Sequence, residues 1–252
     1  MAKDCGMVEQ MKTDNELITE INSFNQIWNG GYRTGYSAKR NQIGVEKYLA
    51  ANLDQSYNVF EIGCGGGQWT RFIAPLVNSI VCNDAKSYKD NYFFEYLHHY
   101  KINTNNITYN QAFNFNLDYL HDNSLDFVFS YDVFCHISLS GQEQYLKNLY
   151  PKCKNGCKLM IMYADPNKYA NSEPENIEST FGIYKNSEEN PSIDTLTARA
   201  IEDCDGENIP NGRWYFVGKE NFLKLCSKYR YDIISDDLNI DQTNPITLFT
   251  KL

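Results

Sequence analysis

Apolar residues recur at helical spacing over residues 14–28, at Leu17, Ile18, Ile21, Phe24, Ile27 and Trp28, which predicts an amphipathic helix. A glycine-broken stretch, Asn29-Gly30-Gly31-Tyr32-Arg33-Thr34-Gly35-Tyr36, predicts a loop. Ile43, Val45, Leu49 and Leu53 mark a second helix over residues 41–53. From residue 59 the pattern changes. Short apolar runs at 59–62, 80–82, 107–109, 125–130, 159–163, 231–235 and 246–250 read as strands. Amphipathic segments at 69–77, 88–100, 141–150 and 219–229 read as helices. Residues 165–212 are polar, carry Pro166, Pro174, Pro191 and Pro210, and show no period.

Strands alternating with helices imply an α/β fold with a mostly parallel sheet covered on both faces. Right-handed crossovers make it doubly wound. Ligands in such sheets bind at the carboxyl ends of the strands, near the point where strand order reverses. The unusual residues fall there: the glycines from 63 to 67, Asp84, Gln111 and Tyr131-Asp132. The length of 252 residues suits one domain. Residues 1–53 are expected to form a helical cap on it, and residues 165–215 an insertion that covers the substrate.

Composition narrows the partners. A net charge of −9 disfavours nucleic acid, and the densest basic cluster is only Lys39-Arg40. The eight cysteines (Cys5, Cys64, Cys82, Cys135, Cys153, Cys157, Cys204 and Cys226) contain no C-x-x-C pair and are expected to be reduced. No zinc pattern occurs, and Asp203-Cys204-Asp205-Gly206-Glu207 lacks the last ligand of a calcium loop, so no metal is expected. No apolar run approaches the ~20 residues that cross a bilayer, and no signal peptide is seen. The expected location is cytoplasmic. Oligomeric state is open, with a homodimer as one option.

The segment Glu61-Ile62-Gly63-Cys64-Gly65-Gly66-Gly67 joins a strand to a helix. Glycine there lets a ligand lie against the main chain, and a helix N-terminus favours an anionic group. A phosphate-binding P-loop is excluded because Gln68-Trp69 follows instead of Lys-Ser/Thr. A dinucleotide fingerprint would need Gly at position 68.

Residues 59–67 resemble motif I of the class I S-adenosylmethionine (SAM) dependent methyltransferases. Asp84, Gln111-Ala112 and the run from Leu125 to Ile137 follow in the order such enzymes show, so the resemblance spans residues 55–165. It implies a Rossmann-like, seven-stranded sheet whose last strand is antiparallel, and SAM as cofactor with S-adenosylhomocysteine (SAH) as product. Glu61, Gly63, Gly65 and Gly67 would form the cofactor turn. Asp84 would take the ribose hydroxyls, although a lone Asp also serves as a helix cap. Gln111 and Ala112 would face adenine. Relatives carry Asp where Gln111 stands, so this position departs from their pattern. Ser130 and Tyr131 would lie beside the methyl group, and Arg33, with Tyr36 or Tyr32, would grip the methionine carboxylate.

An alcohol acceptor needs a base. His136 is the first candidate, followed by Asp132 and Asp165. The expected acceptor contacts are Tyr163, Tyr169, Arg199, Arg213 and Trp214, with Tyr184 and Tyr215 near them. They point to a small polar acceptor such as a sugar, nucleotide sugar or phosphorylated metabolite, methylated on oxygen in polysaccharide or natural-product synthesis. The competing readings are N-methylation of an amine metabolite and a non-catalytic SAM-binding module.

Overall fold

A computed structural model describes residues 12–27, 36–172 and 215–252; within its helices the side chains of residues 24–27, 36–40 and 170 are not described. The chain opens with helices α1 (Asp14–Ile27) and α2 (Tyr36–Asn52). The alternating body follows: β1 (Asn58–Ile62), α3 (Thr70–Ile73), β2 (Ser79–Asp84), α4 (Phe93–His99), β3 (Ile107–Gln111), β4 (Leu125–Ser130), α5 (Leu139–Lys152), β5 (Cys153–Met162) and α6 (Pro166–Ala170). Beyond the undescribed stretch come α7 (Lys219–Lys228), β6 (Tyr231–Ser235) and β7 (Ile246–Lys251).

The seven strands form one sheet in the order β3-β2-β1-β4-β5-β7-β6. The first five pair in parallel, and β7 runs antiparallel to both β5 and β6. The fold is therefore the Rossmann-like one expected. Strand order reverses between β1 and β4, so the carboxyl ends of β1, β2 and β4 share one edge. That edge holds the site.

β4 shows why the strands read as continuous apolar runs. Phe127 and Phe129 enter the core layer on one face with Val45, Leu49, Ile73 and Leu97. Val128 enters the other with Phe60, Ile62, Leu146 and Phe222. Side chains alternate between faces, and both faces are buried, so the centre, Phe127-Val128-Phe129, is unbroken apolar, while Asp126 near the start of the strand is half-buried and pairs with Lys154 at 2.7 Å.

Local chemistry moves several boundaries. Thr13 and Glu16 form a reciprocal cap at the start of α1: Thr13 N donates to Glu16 Oε2 at 2.7 Å and Glu16 N to Thr13 Oγ1 at 3.4 Å. Ser138 caps α5, accepting from Gly141 N at 3.3 Å, so this helix starts before residue 141. Pro75 follows α3, and the chain continues as a 3-10 turn over Ala74–Leu76 instead of one long helix. α4 begins only at Phe93, because Tyr92 adopts a left-handed φ of 52°. β5 is longer than its apolar run. It includes a bulge in which the β4 partner shifts from Cys153 to Lys158, with Gly156 at φ 80°.

Candidate active site

The turn after β1 is built on positive backbone angles. Gly63, Gly65 and Gly67 have φ of 70°, 51° and 86°, values an L side chain rarely adopts. Gly63 is also locked by contact: a Cβ there would lie 2.2 Å from Val133 Cγ2, on the loop after β4. Gly67 allows α3 and α4 to close on the sheet, since a Cβ would stand 3.2 Å from the Phe93 ring. The turn hangs on β2, whose Asn83 carbonyl accepts from Gly63 N at 2.8 Å and Cys64 N at 3.0 Å.

Glu61, just before the turn, is 1% exposed. Thr70 donates to its Oε2 at 2.5 Å, while Oε1 is buried with no hydrogen-bond partner. Burial pushes its carboxyl up to about 8, so it is protonated at neutral pH and holds the first turn of α3 to β1. It is a support of the turn and does not line the cleft.

Asp84, at the end of β2, faces the same turn. Its Oδ2 accepts from Gly65 N at 2.8 Å and its Oδ1 from Lys86 N at 2.9 Å. The Asn91 side chain also donates to this carboxylate, and a carboxylate has about four acceptor positions, so its acceptor capacity is not exhausted. Burial raises its pKa, and the two backbone amides oppose that rise.

The loop after β4 turns sharply at Asp132, a non-glycine residue with φ 60°. Asp132 is exposed and His136 partly so. The Asp132 carboxylate, the Cys135 thiol and the His136 imidazole lie within 4.8 Å of one another. Cys135 donates to Asp132 Oδ1 at 3.6 Å, and burial pushes its thiol well above the ordinary range.

These pieces line a cleft that opens to solvent, as ligand sites at the carboxyl ends of such sheets do. Of the residues singled out in the sequence, Gly63, Gly65, Asp84, Ala112, Asp132 and His136 line it. Its remaining walls were not foreseen. Glu20 and Ile21 come from α1, Asn83 from β2, Phe115 from the β3–β4 connection and Tyr145 from α5. Glu20 reaches across from α1 to accept Ser138 N at 2.9 Å and pairs with Lys12 at 3.0 Å. Nothing in the sequence marks it, because only folding brings α1 over the sheet edge.

Other expected residues are engaged elsewhere. The Gln111 side chain is exposed and donates to the Ala85 carbonyl at 3.1 Å. Ser130 Oγ ties β4 to the Ile62 carbonyl at 3.2 Å. Tyr131 is buried against Trp69 and donates to Asp241 at 2.7 Å. Asp165 caps both α6 and α7, accepting from Lys168 N at 2.6 Å and Lys219 N at 2.7 Å. Tyr163 stacks on Phe222 at 4.0 Å, and Tyr169 packs on Phe216 at 5.5 Å; both are core residues. Tyr36 begins α2. Arg33, Tyr32, Tyr184, Arg199, Arg213 and Trp214 lie outside the described residues.

A family profile described as a methyltransferase domain matches residues 60–161, from β1 into β5. This match marks residues 60–161 as a methyltransferase domain and, with the shared fold, supports a class I SAM-dependent methyltransferase. Solved structures share its fold. A SAM-dependent methyltransferase from Aquifex aeolicus aligns over 92% of this chain and 98% of its own, at 11% identity and a TM-score of 0.57. One from Mesorhizobium loti covers 84% of this chain and 98% of its own, at 9% identity and a TM-score of 0.55. The N-methyltransferase NodS from Bradyrhizobium japonicum covers 87% and 98%, at 11% identity and a TM-score of 0.52. No curated protein matches the sequence. The methyltransferase's cofactor is SAM, and the cleft suits it: glycines clear the main chain and a carboxylate faces the turn. Among the described residues no helix is long and apolar enough to cross a membrane.

Proposed function

We propose that this methyltransferase acts on a hydroxyl of a small, uncharged polar molecule such as a sugar, with His136 receiving the proton. The observation that carries this reading is the placing of His136 and Asp132 in the same cleft as Gly63, Gly65 and Asp84. Bound SAM supplies a methyl group on a positively charged sulfur. The Gly63–Gly67 turn and Asp84 would hold the adenosine, Asp84 by the ribose. Alignment of acceptor oxygen with methyl carbon, and exclusion of water, would do most of the catalysis. His136 would take the hydroxyl proton as the oxygen–carbon bond forms.

Charge guides the choice among acceptors. The described lining holds the carboxylates of Glu20, Asp84 and Asp132 and neither lysine nor arginine. A phosphate there would meet like charge in a partly buried site, so the lining favours a neutral acceptor over a phosphorylated one. The same carboxylates support a second reading, an amine acceptor whose ammonium pairs with Glu20 or Asp132 before losing its proton. A screen of SAH release with neutral sugars, sugar phosphates and amines separates the two. Turnover on sugar phosphates alone would overturn the charge argument.

A further inference from the structure

Gln111 departs from the acidic residue that similar enzymes carry after the third strand; its amide donates to the Ala85 carbonyl at 3.1 Å, and its side chain is not part of the cleft lining. A different polar group sits in the cleft wall. Asn83, on β2, is 2% exposed and lines the cleft beside Ala112, Phe115 and Tyr145. Its Nδ2 donates to Tyr119 Oη at 2.7 Å, which leaves the amide oxygen as an acceptor. The Tyr145 phenol, on a residue 6% exposed, lies beside the Asn83 amide. Phe115 and Ala112 bound the space with apolar surface.

A flat ring with one amino donor and several acceptor nitrogens matches this set. An amide oxygen accepts from the amino group of adenine, and a phenol donates to a ring nitrogen. Burying an amide without a partner is costly, so a ligand group that pairs with it gains. We propose that Asn83, assisted by Tyr145, reads the adenine of SAM, the task that similar enzymes give to the residue after the third strand. The proposal rests on SAM occupying this cleft. It adds that adenine is recognised from β2 and α5 and that Gln111 takes no part.

The test is calorimetric binding of SAH and of S-inosylhomocysteine, in which a 6-oxo group replaces the amino group. The wild-type protein should prefer SAH by roughly tenfold or more, the loss expected for one buried hydrogen bond. Asn83→Ala, or Asn83→Ser should the alanine variant not fold, should bring the ratio close to one. Asn83→Asp, which keeps an acceptor, should retain the preference. Tyr145→Phe should weaken both ligands severalfold, and Gln111→Ala should change neither affinity nor ratio. An unchanged ratio in Asn83→Ala and Asn83→Ser, or a lost one in Gln111→Ala, overturns the proposal. Failure of the wild-type protein to bind either nucleoside would remove the cofactor assignment itself, a different result.

Discussion

The amide of Gly65 donates to the Asp84 carboxylate at 2.8 Å. With the bonds from Gly63 N and Cys64 N to the Asn83 carbonyl, it joins the two elements expected to embrace the cofactor, the turn after β1 and the tip of β2. Asp84 thus shapes the turn, and in the proposed site it would also meet the ribose.

Replacing this carboxylate should cost both roles. Asp84→Ala should weaken SAH binding by about 2–3 kcal/mol, roughly fiftyfold, the range for hydrogen bonds to a charged group. Asp84→Asn should lose less, because its amide oxygen still accepts from Gly65. Titration calorimetry measures both, and equal affinity of Asp84→Ala and wild type would rule out the ribose role.

Two glycines of the turn should respond differently. At Gly63 an added methyl meets Val133 at 2.2 Å on top of a left-handed φ, so Gly63→Ala should destabilise the protein by about 2 kcal/mol or more. At Gly65 nothing lies within 4 Å, so Gly65→Ala should cost only about 1 kcal/mol of backbone strain while still crowding a ligand. Thermal unfolding and SAH titration of the two variants separate these effects. Gly63→Ala with a wild-type melting temperature would contradict the packing described.

Glu61 should make stability fall as pH rises. Below about 4.5, its ordinary value, folded and unfolded chains both keep the proton. Between there and about 8, where the buried group ionises, only the unfolded chain releases it, and folding weakens by up to about 1.4 kcal/mol per pH unit. Above that window the loss is complete. Glu61→Gln cannot ionise, so its urea midpoint should drop less from pH 5 to pH 8 than the wild type's. Parallel pH profiles for the two proteins would show that Glu61 is already ionised in the fold.

His136→Ala should lower kcat on a hydroxyl acceptor by about 10²–10⁴-fold, the usual contribution of a positioned base, with little change in SAH affinity. The lost rate should be partly restored at high pH, where the acceptor ionises unaided. If affinity and rate fell together, His136 would be a packing residue of the loop after β4.

The legible part of this site was the part written in consecutive residues. Gly63, Gly65 and Gly67 declare themselves because a strand that must turn into a helix within a few residues needs angles only glycine adopts readily. Asp84 was legible from its place at the end of the next strand, and His136 from following the fourth. Tyr163, Tyr169 and Asp165 carried no such local signature. Their residue types suit a polar pocket, yet a tyrosine also fills a core and an aspartate also caps a helix. Here Tyr163 stacks on Phe222, and Asp165 holds the first turns of α6 and α7.

What the amino-acid order determined by itself was the succession of strands and helices, the parallel sheet and the cofactor turn, because each depends on backbone angles and hydrophobic periods spanning only a few residues. Tertiary structure alone decided which side chains face the cleft. Asn83 and Asp84 are neighbours in one strand, yet their partners differ, Tyr119 for one and the Gly65 turn for the other. Glu20 enters from a helix far away in the chain. Such meetings depend on how distant segments pack, and no local pattern encodes them.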